Sequence, residues 1–253
     1  MSALRTLKNV LVSTIAAGLI GGALASAFHG LFTEPVIDRA IAAEEQRAAA
    51  EPRHHGEEPV VSRRGQKIGL VVGLLLYGAT WGLVVGLALH ATRGWTRPAW
   101  SLGRRGAFLA GLLGWSVAIF PFLKYPANPP GVGEPESIGY RQTLYVGFIA
   151  LAVLGLALAT ALRRRTGGWL APAAFYVAWA LGIYFLMPSN PAPVELSQTI
   201  VRPFRALSLT GLVIFWSVLS AVLAVLGHDR AAARSLGPRT ASPVGNISPR
   251  AST

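Results

Sequence analysis

Residues Val10 to Phe32 read VLVSTIAAGLIGGALASAFHGLF and run straight into Thr33-Glu34-Pro35-Val36-Ile37-Asp38. The 23 residues of the run carry no formal charge. A helix needs about 20 such residues to cross a hydrocarbon core of about 30 Å. Small residues recur at every fourth position, Thr14, Gly18, Gly22, Ser26 and Gly30, and a second row of Ala17, Gly21 and Ala25 ends on His29. Residues four apart share a helix face, and small faces let membrane helices approach closely. The run therefore reads as a membrane helix against which the others pack. Ionisable side chains gather where it ends.

The rest of the 253-residue chain repeats the theme: 52% of it is hydrophobic and 13% charged, with a mean hydropathy of +0.47. Soluble domains average about 25% charged. Five further uncharged runs follow, at 68–90, 107–123, 144–162, 170–187 and 207–226. The expected fold is all-α: a polytopic membrane bundle of six transmembrane helices over residues 1–227. It carries a charged outer loop at 33–67 and a polar, disordered cytoplasmic tail at 228–253. Ala25-Ser26-Ala27 matches the small-residue pattern a signal peptidase cuts, and cleavage there leaves five spans. The apolar run continues past that site to Phe32, which favours retention.

Six spans put both termini on one side. The segments on that side hold Arg5, Lys8, Arg93, Arg97, Arg104, Arg105, Arg163, Arg164, Arg165 and the four arginines of the tail, with Asp229 as their single acid. The net charge of +12 thus falls on one face, as the positive-inside rule expects of a cytoplasmic side. It marks orientation in the lipid bilayer and attraction to anionic lipid, and it excludes nucleic acid as the partner. The second span has its own glycine row, Gly78, Gly82 and Gly86, so the first two spans are expected to pair tightly.

Candidate sites lie on the outer side. His29, Glu34 and Asp38 follow one another at about one helical turn if the helix resumes after Pro35. Imidazole and carboxylate suit divalent first-row metals. Cysteine is absent, so any metal site here uses nitrogen and oxygen. The competing reading is a set of polar groups marking the membrane boundary. His54-His55, beside Glu57-Glu58, offers metal capture or a solvated charged tract. The loops after the third and fifth spans each contain Pro-x-Asn-Pro, with Asn128 and Asn190, and each has a glutamate seven residues before an arginine: Glu134 and Arg141, Glu195 and Arg202. These six residues form a candidate vestibule, drawn from the two copies of a parallel repeat or from a coincidence of proline-rich loops.

No span contains an acid or a base, so a proton relay of the usual kind lacks its residues. No phosphate-binding Gly-x-x-x-x-Gly-Lys loop, zincin His-Glu-x-x-His or Gly-x-Ser-x-Gly elbow is present. The chain does not read as an enzyme, and no covalently bound cofactor is expected.

Two stretches resemble a known family. Phe28-His29-Gly30-Leu31-Phe32-Thr33-Glu34-Pro35, and Lys124-Tyr125-Pro126-Ala127-Asn128-Pro129-Pro130-Gly131-Val132-Gly133 ahead of Arg141-Gln142, resemble the CbtA-type cobalt transporter subunits of bacteria, as does the layout of spans over about residues 5–227. The resemblance implies a multi-pass protein of the cytoplasmic (inner) membrane, with Co²⁺ as the transported ion and a link to cobalamin synthesis. It also implies a small CbtB-type partner with one span and a histidine-rich end. The family is usually given five spans, against six here. A non-transporting scaffold or assembly subunit explains the glycine rows equally well, and self-association into a homo-oligomer stays open.

Overall fold

The first apolar run forms a helix, and Pro35 does not end it. In the computed structural model, which describes residues 2–50, 61–92, 100–130, 132, 135–190 and 196–235, α1 (Ser2–Phe28) passes through a π-turn (His29–Thr33) directly into α2 (Glu34–Ala50). The sequence reading placed a possible break here. A proline cannot donate to the carbonyl four residues back, and its ring crowds that carbonyl. The wider turn meets the difficulty one residue earlier, where the Glu34 N–H bonds to the His29 carbonyl five residues back. The same device recurs in the third span. There α4 (Leu102–Gly114) continues through a π-turn (Trp115–Ile119) into α5 (Phe120–Lys124), and the Phe120 N–H, just ahead of Pro121, reaches the Trp115 carbonyl.

The remaining helices are α3 (Arg63–Ala91), α6 (Ile138–Thr166), α7 (Leu170–Leu186) and α8 (Gln198–Ser235). Serine caps start α3 and α4: Ser62 Oγ accepts from the Gly65 N–H and Ser101 Oγ from the Arg104 N–H, the usual remedy for an unpaired first turn. Gly167 stops α6 in the left-handed region at φ 69°, where a side chain would be strained. No strand occurs among the described residues. The last helix continues to Ser235, past the boundary at 227 that composition set; residues 236–253 lie outside the described residues.

Among the described residues five helices are long and apolar enough to span a membrane: Leu7–Arg47, Arg63–Ala91, Leu102–Lys124, Ile138–Thr166 and Gln198–Leu226. The fifth expected span corresponds to α7, which is apolar but has only 17 residues, about 26 Å at 1.5 Å per residue. Gly167-Gly168 on one side and Pro188 on the other bound it.

The helix α1 sits between α3 and α8. Its glycine row meets that of α3 backbone to backbone. A Cβ on Gly18 would strike the Gly78 carbonyl, and one on Gly82 would lie 2.7 Å from the Ile15 Cα. On the neighbouring face, Gly21 receives the Phe215 ring of α8. Phe215, Trp216, Leu219 and Leu223 of α8 then join Val85 and Leu89 of α3 and Ala110 and Ala118 of the third span in the main core. A second core unites Phe120, Tyr125, Phe148 and Ile183, and so attaches α6 and α7 through α5. Around this interior many large apolar side chains face outward: Leu31 is 70% exposed, and Leu170 and Leu186 are each 86% exposed. An apolar surface of that extent is expelled from water and is suited to lipid.

Candidate functional site

Ala40 of α2 packs with Val132, Leu196 and Val201. This small cluster brings the acidic corner, the first proline loop and the start of α8 to one end of the bundle. The arginines at 163–165 close the opposite end of α6.

At the corner, the Glu34 and Asp38 carboxylates of α2 meet the first turns of α3. Glu34 is buried and Asp38 is exposed. The Arg63 guanidinium spans the two, with Nη2 on Glu34 Oε2 and Nε 2.7 Å from Asp38 Oδ1, while Nη1 donates to Gln66 Oε1 at 3.1 Å. Lys67 Nζ adds contacts of 3.3 Å to Asp38 and 3.7 Å to Glu34. His29 is not part of this group: its Nδ1 shares a hydrogen bond with Thr33 Oγ1 at 2.8 Å, and its ring fills the notch at Gly211 of α8. Among the described residues no set of three or more His, Cys, Asp or Glu is gathered to hold a metal. The expected trio His29, Glu34 and Asp38 is therefore not assembled as one ligand set: the two acids are committed to cations and the imidazole to a hydroxyl. His54 and His55 lie outside the described residues.

Sequence reasoning missed Arg63 and Lys67. The signal was their spacing of four at the head of α3, matching the spacing of four between Glu34 and Asp38. Arg63, with Lys67 second, holds the Asp38 carboxyl below its ordinary value. A depressed carboxyl contributes stability above its unfolded value, about pH 3.9, and loses it as pH falls through the folded value. The α2–α3 link is thus expected to be unchanged from about pH 5 to 8 and to loosen only below about pH 4. Hydrogen exchange of the α2 amides, corrected for intrinsic rates, checks this.

The two proline loops dock on one another. The Tyr125 hydroxyl donates to the Pro188 carbonyl at 2.6 Å, and Lys124 lies over the Tyr184 ring at 5.3 Å. Beneath them opens a cleft of about 450 Å³ to which Asn128, Arg141 and Asn190 all contribute. Three of the six vestibule candidates thus line one space. Glu134 and Glu195 lie outside the described residues, and Arg202 is exposed on α8. Arg205, one turn further on, was not singled out in the sequence, yet its Nη2 donates to Asn128 Oδ1 at 2.8 Å.

The fold and the site define a multi-pass helical membrane protein whose ion-paired corner and proline-loop cleft share one end. The chain belongs to the CbtA family, described as "Probable cobalt transporter subunit (CbtA)", whose model matches residues 7–228 and so spans all the membrane helices. No curated protein and no solved structure gives a significant match.

Proposed function

We propose that the chain is the membrane-embedded subunit of a cobalt uptake system in the bacterial cytoplasmic membrane. In this reading it has cytoplasmic termini, is not an enzyme, and works with a small histidine-rich CbtB-type subunit that captures the metal. Family membership supports cobalt as the cargo. The observation that carries the site is the carboxylate pair of Glu34 and Asp38, closed by one guanidinium at the end opposite the basic face. A guanidinium held between two carboxylates occupies the place of a divalent cation. An arriving Co²⁺ would exchange with Arg63 and Lys67, with His29 one turn away as a further nitrogen donor. The Asn128–Asn190 cleft forms the adjoining vestibule, which Glu134, Glu195 and Arg202 would complete, and His54 and His55 would serve as a loop relay from the partner.

Cobalt uptake in cells carrying this chain and its partner tests the assignment. Loss of a ligand, or of a group that orients one, costs on the order of tenfold in metal affinity. A fall of that order is expected for Glu34→Gln and for His29→Ala; unchanged uptake in both removes the proposed ligands. The second reading, a non-transporting assembly subunit, draws on the lack of any Asp, Glu, Lys or Arg within the six uncharged runs to continue a path. Vesicles reconstituted with the purified chain and its partner separate the two readings by whether they pass Co²⁺ but not Mg²⁺.

A further inference from the structure

The π-turn of the third span leaves a carbonyl without a donor. A helical carbonyl is reached by the N–H four residues on, or five residues on in a π-turn. For Ser116 these positions are Phe120, whose N–H goes to the Trp115 carbonyl, and Pro121, which has no N–H. The turn at His29–Thr33 frees the Gly30 carbonyl in the same way, because Glu34 donates to His29 and Pro35 follows. Gly30 is exposed at the end of its span, whereas Ser116 is completely buried, at 0% exposure. Bulk water does not reach it.

The Ser116 hydroxyl is orphaned as well. A helical serine can return its hydroxyl to the carbonyl four residues back, as Ser13 does to Asn9 at 2.8 Å. Ser116 Oγ has no hydrogen-bond partner among the described residues, so two buried oxygens of one residue stand unpaired together. Ser116 lies 14 residues beyond Leu102 and eight before Lys124, about 21 Å and about 12 Å along the axis at about 1.5 Å per residue. That is inside a hydrocarbon core of about 30 Å. A backbone group left unpaired at such a depth is costly, and π-turns within helices are frequent at functional sites.

The two oxygens set the occupant. Both are neutral, and no Asp or Glu lies within the six uncharged runs to add negative charge. The cost of taking an ion out of water rises steeply with its charge, which disfavours a divalent ion at this depth. Oxygen ligands suit hard cations, and freed backbone carbonyls of interrupted membrane helices hold Na⁺ in transporters. We propose that the Ser116 carbonyl and hydroxyl hold Na⁺ in an occluded site, closed by α6 and α8, the helices against which the turn lies. The use of this ion to drive uptake rests on the metal-uptake reading; its binding does not.

Thermal midpoints of the full-length chain in lipid nanodiscs, titrated with NaCl against choline chloride at constant ionic strength, test this without partner or transport. A ligand that binds only the folded state raises the midpoint as its concentration rises, so Na⁺ is expected to raise it and choline is not. Ser116→Ala removes one oxygen, and Pro121→Ala supplies an N–H that closes the carbonyl. Each is expected to weaken the apparent Na⁺ affinity at least about tenfold, the order of effect of losing a group at a cation site. Ser116→Ala takes away a hydroxyl that has no partner, so it is expected to keep the midpoint in choline. Ser26→Ala removes another buried, unpartnered hydroxyl, one with no freed carbonyl beside it, and is expected to leave the Na⁺ response intact. Equal midpoints in Na⁺ and choline would mean a buried water only and overturn the proposal. A Na⁺ response unchanged in Ser116→Ala, or lost equally in Ser26→Ala, would overturn it too. Vesicles that fail to pass Co²⁺ while the Ser116-dependent response persists would remove the uptake reading and leave the site standing.

Discussion

Gly78→Leu is expected to abolish the folded bundle. A Cβ at Gly78 falls on the Gly18 carbonyl, and one at Gly18 falls on the Gly78 carbonyl in return. Both contacts are with backbone, so no rotamer change relieves them. The helix α1 cannot retreat either, because its other face holds Phe215 against Gly21, and moving away would open the core built on Phe215, Trp216 and Leu219. Overpacking ordinarily costs about 1–3 kcal/mol; forcing two backbones apart belongs with the exceptional losses above about 4 kcal/mol. The expected result is loss of the monodisperse peak in size-exclusion chromatography and of a cooperative thermal transition. Gly73→Leu, on the same helix but with open space around it, is expected to behave like the parent. Equal behaviour of the two variants would falsify the close α1–α3 contact.

The second large effect is expected at the corner. Arg63→Ala leaves the Glu34 side chain, 8% exposed, with Lys67 at 3.7 Å as its remaining cation. Breaking a buried ion pair by removing one partner costs about 3–5 kcal/mol. Lys67 remains and Arg63 is itself 30% exposed, which brings the expected loss down to about 2–3 kcal/mol. The reason is the stranded carboxylate rather than the missing arginine, so Glu34→Gln added to Arg63→Ala should recover most of it. A double-mutant cycle on denaturation midpoints measures this directly. A coupling below about 0.5 kcal/mol, the level of independent sites, would remove the pair from any account of stability or gating.

The helical membrane fold was legible in the sequence because its signals are strong and one-dimensional: long uncharged runs, matching glycine rows and one-sided arginines. The tight pairing of the first two spans followed from the rows alone; that Gly18 meets Gly78 came from the structure. The site was less legible. Arg63 and Lys67 lie at the end of a long charged stretch, where composition does not separate them from solvated charges and only their spacing of four, matched to Glu34 and Asp38, marks them. Arg205 was passed over because Arg202 matched the loop repeat and Arg205 did not, although α8 places Arg205 on the side that meets Asn128. Pro35 was read as a possible break because proline usually ends a helix. The pattern that marks the exception is visible afterwards, since Pro121 stands in the same relation to its own π-turn as Pro35.

That π-turn has a consequence for which way the corner looks. At 3.6 residues per turn, Glu34 and Asp38 would lie about 120° and 160° around the axis from Gly22, away from α3. One extra residue in the turn sets the phase back by about 100°, leaving them about 20° and 60° from it. A single continuous helix can therefore press bare glycine backbone against α3 along one stretch and aim two carboxylates at the same neighbour further along. The extra residue at His29–Thr33 acts as a rotational offset between a packing surface and a charged one, and it keeps both on one partner helix without a hinge.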